Sequence, residues 1–195
     1  MDQAALIDAC RAGDRDAMRA VYERYVDRIY GLVHRMTHNS DDSFDLVQST
    51  FVRAFESIHG FNGKSDLGTW LHRIAVNQTL QHFRRRRNEH AHLQRMPHPE
   101  SAAPTDRSSA DRLAAALPQL SDEHRAILIL KYQQEMSYAE IAEVLQIAPG
   151  TIASRLNRAR ADLRRLLRAR SGDSAEETGR PEHPTQQVMT PEERR

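Results

Sequence analysis

A single cysteine, Cys10, in 195 residues leaves no partner for an internal disulfide and no set of thiolates for a zinc site. Such usage fits a reducing compartment, the cytoplasm, and a lone Cys among small apolar neighbours reads as a buried thiol. No apolar run approaches the ~18 residues of a membrane-spanning helix, and a mean hydropathy of −0.71 points the same way. The opening MDQAALIDACRAGD carries acids and no continuous apolar core, so it is not read as a secretory signal. Gly-rich phosphate loops, nucleophile elbows and H-E-x-x-H pairs are all missing, which argues against an enzyme. No catalytic residue, metal ligand or cofactor is expected. His34 and His38 stand four apart on one expected helix without an evident third ligand, and His90, His92 and His98 fall in a polar stretch where histidines are simply solvated. Strict alternation of apolar and polar residues is absent too, which removes strands and leaves an all-α chain.

Charge is plentiful, but an excess of either sign is not. The 28 Lys and Arg residues, all Arg except Lys64 and Lys131, nearly balance 27 Asp and Glu. That balance conceals a pattern. Residues 1–60 hold 7 basic against 10 acidic side chains, 61–96 hold 7 against 2, 97–120 hold 2 against 3, 121–170 hold 9 against 6, and 171–195 hold 3 against 6. Two basic segments thus lie among acidic ones. This suits local contact with a polyanion on a protein that does not adhere to it everywhere.

Apolar spacing predicts an opening helix from about Asp2 to Arg11, ended by Gly13, and a second from Asp14 to about Thr37 with Val21, Tyr25, Ile29, Leu32 and Met36 on one face. Asp41, Asp42 and Ser43 suit the start of a third, because unpaired backbone N–H groups there favour anionic oxygens. Its buried stripe is Val47, Phe51, Ala54, Phe55 and Ile58, and Gly60 and Gly63 break the chain after it. A fourth helix is expected from Leu67 to about Arg87. The run Arg84 to Arg87 closes it, either as a solvated helix end or as more positive charge than a helix end needs.

Composition then divides the chain. Residues 1–88 form a first helical unit, 89–110 a Pro-rich flexible linker, 111–170 a second helical unit, and 171–195 a disordered acidic tail. In the second unit, helices are expected through Leu113 and Leu117 up to Pro118, and from Ser121 through Ile127, Leu128 and Leu130. Ser137-Tyr138-Ala139-Glu140 then has the capping-box form S-x-x-E. Ile141, Ala142, Val144 and Leu145 make a short helix, Gln146-Ile147-Ala148 a turn, and Pro149 opens a last helix to Arg170.

At about 100° per residue, Ile152, Leu156, Ala159, Leu163, Leu166 and Leu167 share one face of that last helix, while Ser154, Asn157, Arg158, Ala161 and Arg165 share the other. Arg155 and Arg160 flank them, within reach of phosphates. A helix-turn-helix whose second helix carries small and hydrogen-bonding residues for base edges, ringed by guanidinium groups, is what major-groove reading requires.

Two segments of the first unit resemble a known family. Asp45-Leu46-Val47-Gln48-Ser49-Thr50-Phe51 is similar to the D-L-V-Q-E-T-F signature of bacterial sigma factors, and Phe61-Asn62-Gly63 through Thr69-Trp70-Leu71-His72-Arg73-Ile74-Ala75-Val76-Asn77 to the F-x-G…T-W-L-Y-R-I-A-x-N run that follows it. With Gly150-Thr151 and Ser154 to Arg160, the chain resembles the extracytoplasmic-function sigma factors, which keep only regions two and four.

The resemblance implies that Asp45, Leu46, Gln48 and Phe51 contact core RNA polymerase, that Phe61, Asn62, Trp70, Arg73 and Asn77 read and melt the −10 promoter element, and that Thr151, Ser154, Arg155, Asn157 and Arg158 read the −35 element. It also implies an anti-sigma partner, no membrane insertion, and a place on the nucleoid when polymerase is bound. Trp70 serves equally as core packing or as a plane on which an extruded base stacks. Phe44, Ser49, Gly68, Ala153 and Asn157 depart from the family pattern, which bears on the promoter sequence read and on the detail of polymerase docking. The rival reading, a helix-turn-helix regulator acting as a dimer, accounts for the second unit but not for the D-L-V-Q segment.

Overall fold

The structure, a computed structural model, describes residues 3–93 and 108–170. Every regular element among them is helical: α1 (Gln3–Arg11), α2 (Arg15–Thr37), α3 (Ser40–Ser57), α4 (Leu67–Leu93), α5 (Ser109–Ala116), α6 (Asp122–Tyr132), α7 (Tyr138–Leu145) and α8 (Pro149–Arg170), with 3-10 turns at Ile58–Gly60 and Leu117–Gln119. The expected tail and most of the expected linker lie outside the described residues.

Local chemistry fixes the helix ends. The Asp14 carboxylate accepts from the backbone N–H groups of Asp16 at 2.8 Å and Ala17 at 3.2 Å, starting α2. α2 stops where His38 turns left-handed at φ 52° and donates its N–H to the His34 carbonyl. Asn39, not the acidic cluster, caps α3, accepting from the Asp42 N–H at 3.0 Å, and Asp41 and Asp42 fill the first turn. Ser43 is buried there, its hydroxyl bonded to the Asn39 carbonyl and 2.8 Å from the Thr37 hydroxyl. α4 does not stop at the arginines. It runs on to Leu93 because nothing from Asn88 to Leu93 breaks a helix; the next proline is Pro97.

α2, α3 and α4 pack on one another, with α1 laid against α2. Their shared interior takes Ile29, Leu32, Val33 and Met36 from α2, Leu46, Val47, Phe51 and Ala54 from α3, and Leu67, Leu71, Ala75 and Val76 from α4. The helical spacing of these residues is what gives each helix one apolar face. Thr50 and Thr79 are fully buried as well, and each satisfies its hydroxyl on the carbonyl four residues back, at 2.7 Å and 2.8 Å.

α6 is built differently. All six residues from Arg125 to Leu130 are buried. A helix covered on every side needs neighbours on every side, and α6 has them: α8 and α7 from its own unit, α2 and α4 from the first. α7 also packs on α4. The two helical units therefore share an interface.

Candidate nucleic-acid interface

The helix-turn-helix forms as the capping-box spacing predicts. The Ser137 hydroxyl accepts from the Glu140 N–H at 3.3 Å and the Glu140 carboxylate accepts from the Ser137 N–H at 2.8 Å. These bonds to Ser137 hold the Glu140 carboxyl below its ordinary range. α7 ends at Gln146, left-handed at φ 54°, and the Ile147 N–H bonds back to the Ala142 carbonyl at 3.1 Å. Pro149 then opens α8.

Ile152, Leu156 and Ala159 are fully buried and seat α8 on the unit's core. Their burial decides what is left outside. Ser154, Asn157 and Arg158 are exposed, with Ala153 beside them, and Thr151 and Arg155 are half-buried at the edges. The Ser154 hydroxyl donates to the Thr151 carbonyl at 2.9 Å, and Arg155 lies 3.7 Å from Glu123. Arg158 makes no such contact among the described residues, so its guanidinium is available for bidentate bonding to a base or a phosphate. Arg160, on the flank, donates through Nη1 to the Asn157 side chain at 3.4 Å. It also lies over the Tyr132 ring, 5.4 Å from its centre, with its Nε on the Tyr132 hydroxyl, and so bridges α6 and the edge of the reading face.

On α4, the flank expected to face DNA splits in two. Arg73 and Asn77, one turn apart, are half-buried, and Asn62 in the preceding loop is exposed, its side chain accepting from the Lys64 N–H at 3.1 Å. Phe61 and Trp70, expected on the same surface, are buried at 3% and 4% exposure, with ring centres 5.1 Å apart. Neither ring offers a face to a base in this arrangement. The spacing of Leu67, Leu71 and Ile74 put Trp70 on a flank, but the loop brings Phe61 over that flank and closes it. Arg11 of α1 holds the loop down through the Phe61 carbonyl. Gly68, a departure from the family pattern, sits where an added Cβ would lie 3.1 Å from the Tyr25 ring.

α3 shows a similar split. Asp45 and Gln48 are exposed, whereas Leu46 and Phe51, also expected at the polymerase surface, are buried at 7% and 3% and shape that surface from beneath. What the sequence reading missed lies beside them. Phe44 is 63% exposed and Val52 53%, on either side of Gln48 at a spacing of four, and with Tyr22 and Tyr30 of α2 they rim an apolar groove of about 660 Å³. Exposed aromatic surface of this kind marks a protein contact. The i, i+4, i+8 spacing of residues 44, 48 and 52, outside the buried stripe, was the available signal.

Two family models match the chain, Sigma-70 region 2 over residues 21–89 and Sigma-70 region 4 over residues 110–163. The ECF RNA polymerase sigma factor SigW of Bacillus subtilis is 32% identical over 177 residues, which is 83% of this chain and 95% of that one. This chain belongs to the extracytoplasmic-function sigma factors. The ECF sigma factor SigE of Mycolicibacterium smegmatis is 35% identical over 184 residues, covering 88% of this chain and 70% of that one. Two solved structures share the fold. The sigma factor RpoE of Bartonella quintana, in complex with the anti-sigma factor NepR, aligns with a TM-score of 0.63 at 26% identity, over 77% of this chain and 96% of that one. CnrH in complex with the cytosolic domain of CnrY aligns at 0.64 and 26%, over 85% and 96%.

An ECF sigma factor is a non-enzymatic transcription factor. It binds core RNA polymerase and directs it to promoters as an alternative to the primary sigma subunit. The dimeric-regulator reading is not favoured, because region 2 is present as well as the helix-turn-helix. Among the described residues, no helix is long and apolar enough to cross a membrane.

Proposed function

We propose that this sigma factor reads the −35 element with Ser154, Asn157 and Arg158 of α8, framed by Thr151 and Arg155, and contacts the −10 element with Asn62, Arg73 and Asn77. The observation that carries this is the exposed row on α8: small and amide side chains for base edges, and an uncommitted guanidinium beside them. Phe61 and Trp70 act beneath the −10 surface, setting the loop that presents Asn62. Core polymerase docks on the α2–α3 groove, where Asp45 and Gln48 supply polar contacts beside the exposed Phe44 and Val52.

An anti-sigma factor is the further partner this reading includes. It is supported by the solved RpoE relative, which is in complex with the anti-sigma factor NepR. A second apolar groove, of about 400 Å³ between Leu113, Leu117, Leu128, Tyr132 and Leu163, gives such a partner a place on the second unit. The site of action is the cytoplasm, on the nucleoid once polymerase is bound.

Run-off transcription with purified core polymerase tests the reading. The holoenzyme is expected to initiate on a cognate promoter and to lose that activity when either element is scrambled. The free chain should bind the same DNA far more weakly, since two small surfaces gain avidity only when held at fixed spacing. Free protein that bound promoter DNA as tightly as the holoenzyme would refute it.

A further inference from the structure

The run Arg84 to Arg87 does not sit at a helix end. A cation stabilises a helix within its last turn, where carbonyls lack partners, and α4 continues to Leu93, well past Arg87. Nor does the run support the helix locally, since Arg84 and Arg87 stand three apart and like charges at that spacing repel. Glu89 is the only acid in α4 to offset its arginines.

Two of the four are committed to the fold. Arg86 donates to Asp42 of α3 at 2.7 Å and Arg87 to Asp122 of α6 at 2.6 Å, and the Phe83 ring beside them lies 5.2 Å from the Arg125 guanidinium. These contacts fix which side of α4 faces the protein. The other side holds Arg84 and Arg85, both exposed and, among the described residues, without a hydrogen-bond or ion-pair partner.

That side continues a surface already described. At about 100° per residue, Arg73, Asn77, Gln81, Arg84, Arg85 and Asn88 all fall within a sector of about 120°. Chemistry changes along it. The first half offers the Asn77 amide, suited to a base edge. The second half is fully exposed from Arg84 to Asn88, and its two free guanidinium groups suit phosphate oxygens, which they bind in a bidentate fashion whatever the sequence.

Helix length and chain direction select the phosphates. Arg73 and Arg84 are about 16 Å apart along the axis at 1.5 Å per residue, which is about five base pairs of duplex at 3.4 Å each. The C-terminal end of α4 leads on toward the unit that carries α8, so this end of the helix is the one on the −35 side.

We propose that Arg84 and Arg85 form a phosphate anchor for the promoter duplex, gripping the spacer about five base pairs upstream of the Arg73 and Asn77 contacts without reading its bases. The proposal rests on the assignment of Arg73 and Asn77 to the −10 element. An anchor there fixes the duplex on the upstream side of the segment that opens, so that the strands part away from it.

Binding of the holoenzyme to promoter DNA over a range of salt concentrations tests this. Each phosphate neutralised contributes about 0.9 to the magnitude of the slope of log affinity against log salt. Arg84→Gln with Arg85→Gln, at two exposed positions, should therefore reduce that magnitude by about 1.8, and a fourfold rise in salt should narrow the gap between parent and variant about 12-fold. Arg84→Lys with Arg85→Lys keeps the charge and should keep most of the slope. Circular dichroism and affinity for core polymerase should be unchanged in both. With the unsubstituted chain, uncharged methylphosphonate linkages scanned singly along the spacer should weaken binding about five base pairs upstream of the −10 contacts, and the Gln variant should be indifferent to them there. An unchanged slope in the Gln variant, or a scan that weakens parent and variant alike, would overturn the anchor. So would a fall in core-polymerase affinity, which would assign the two arginines to polymerase. A reduced slope and a positive scan in a holoenzyme that ignores a scrambled −10 element would overturn the −10 assignment and leave the anchor standing.

Discussion

Arg158 and Trp70 stand at opposite ends of the range of accessibility, and each makes its own prediction. Arg158 is exposed and uncommitted, so Arg158→Ala should leave the fold unchanged and lower −35-dependent transcription. A bidentate base contact is worth about 1–3 kcal/mol, which is about 5- to 150-fold in the rate of initiation on a −35-dependent promoter. An unchanged rate would remove Arg158 from the reading set. Trp70 is in the core against Phe61, so Trp70→Ala should act first on stability. Truncating a buried aromatic costs about 3–5 kcal/mol, seen as a fall in melting temperature without any DNA present. A variant that melted like the parent but failed to open the −10 element would return the ring to the DNA.

Among the helices, His38 carries the charge-linked prediction. It ends α2, and its pKa is lowered first by burial, then by Arg125 across the interface and by His34 one turn back. The folded chain therefore favours the neutral imidazole. When a pKa is depressed in one state, the other state binds more protons between the two values, so the depressed state loses stability as pH falls. The stability that His38 contributes should be fully present above pH ~6.5, the ordinary histidine value, and should fall as pH drops below it, read as a lower melting temperature. Asn at position 38, which also tolerates the left-handed conformation, should flatten that dependence.

The helices themselves were largely legible in the sequence, because caps and apolar spacing are local. Asp14, Ser121, Ser137 and Pro149 stand at or beside the starts they signal. Misreadings arose where a distant part of the chain intervened. Phe61 closes over Trp70 from a loop and selects the core reading of that ring, and Leu46, expected at the polymerase surface, is buried beside the α3 stripe. One non-local signal was present and unused. The run Ala126 to Leu130 is five apolar residues without interruption, more than one buried helix face requires, and it announces that α6 is covered from two sides.

At the scale of the whole molecule, the near-neutral total describes neither working surface. α8 alone holds seven arginines against one acid, Asp162, yet Asp162 pairs with both His124 and Arg165 at 2.8 Å and 3.0 Å, and Arg155 with Glu123. Part of the positive charge is thus balanced within the fold, leaving Arg158 and its neighbours as a small attractive patch. Such a patch gives little affinity for bulk DNA, and polymerase supplies the rest by holding both readers on one promoter. Residues 171–195 add three basic and six acidic side chains and lie beyond every residue assigned to polymerase or DNA. Truncation after Arg170 should therefore leave core-polymerase binding intact in a pull-down; loss of binding would assign the tail a direct role in the complex.

The native thiol gives this architecture a clock of its own. Cys10 is 1% exposed on α1, and burial, reinforced by Asp14, pushes its pKa up, so it reacts only when α1 lifts away. Its neighbour Arg11 is the residue that fastens the Phe61 loop. The rate at which an alkylating reagent consumes the thiol therefore reports, in unlabelled wild-type protein, how often the support beneath the −10 loop comes undone.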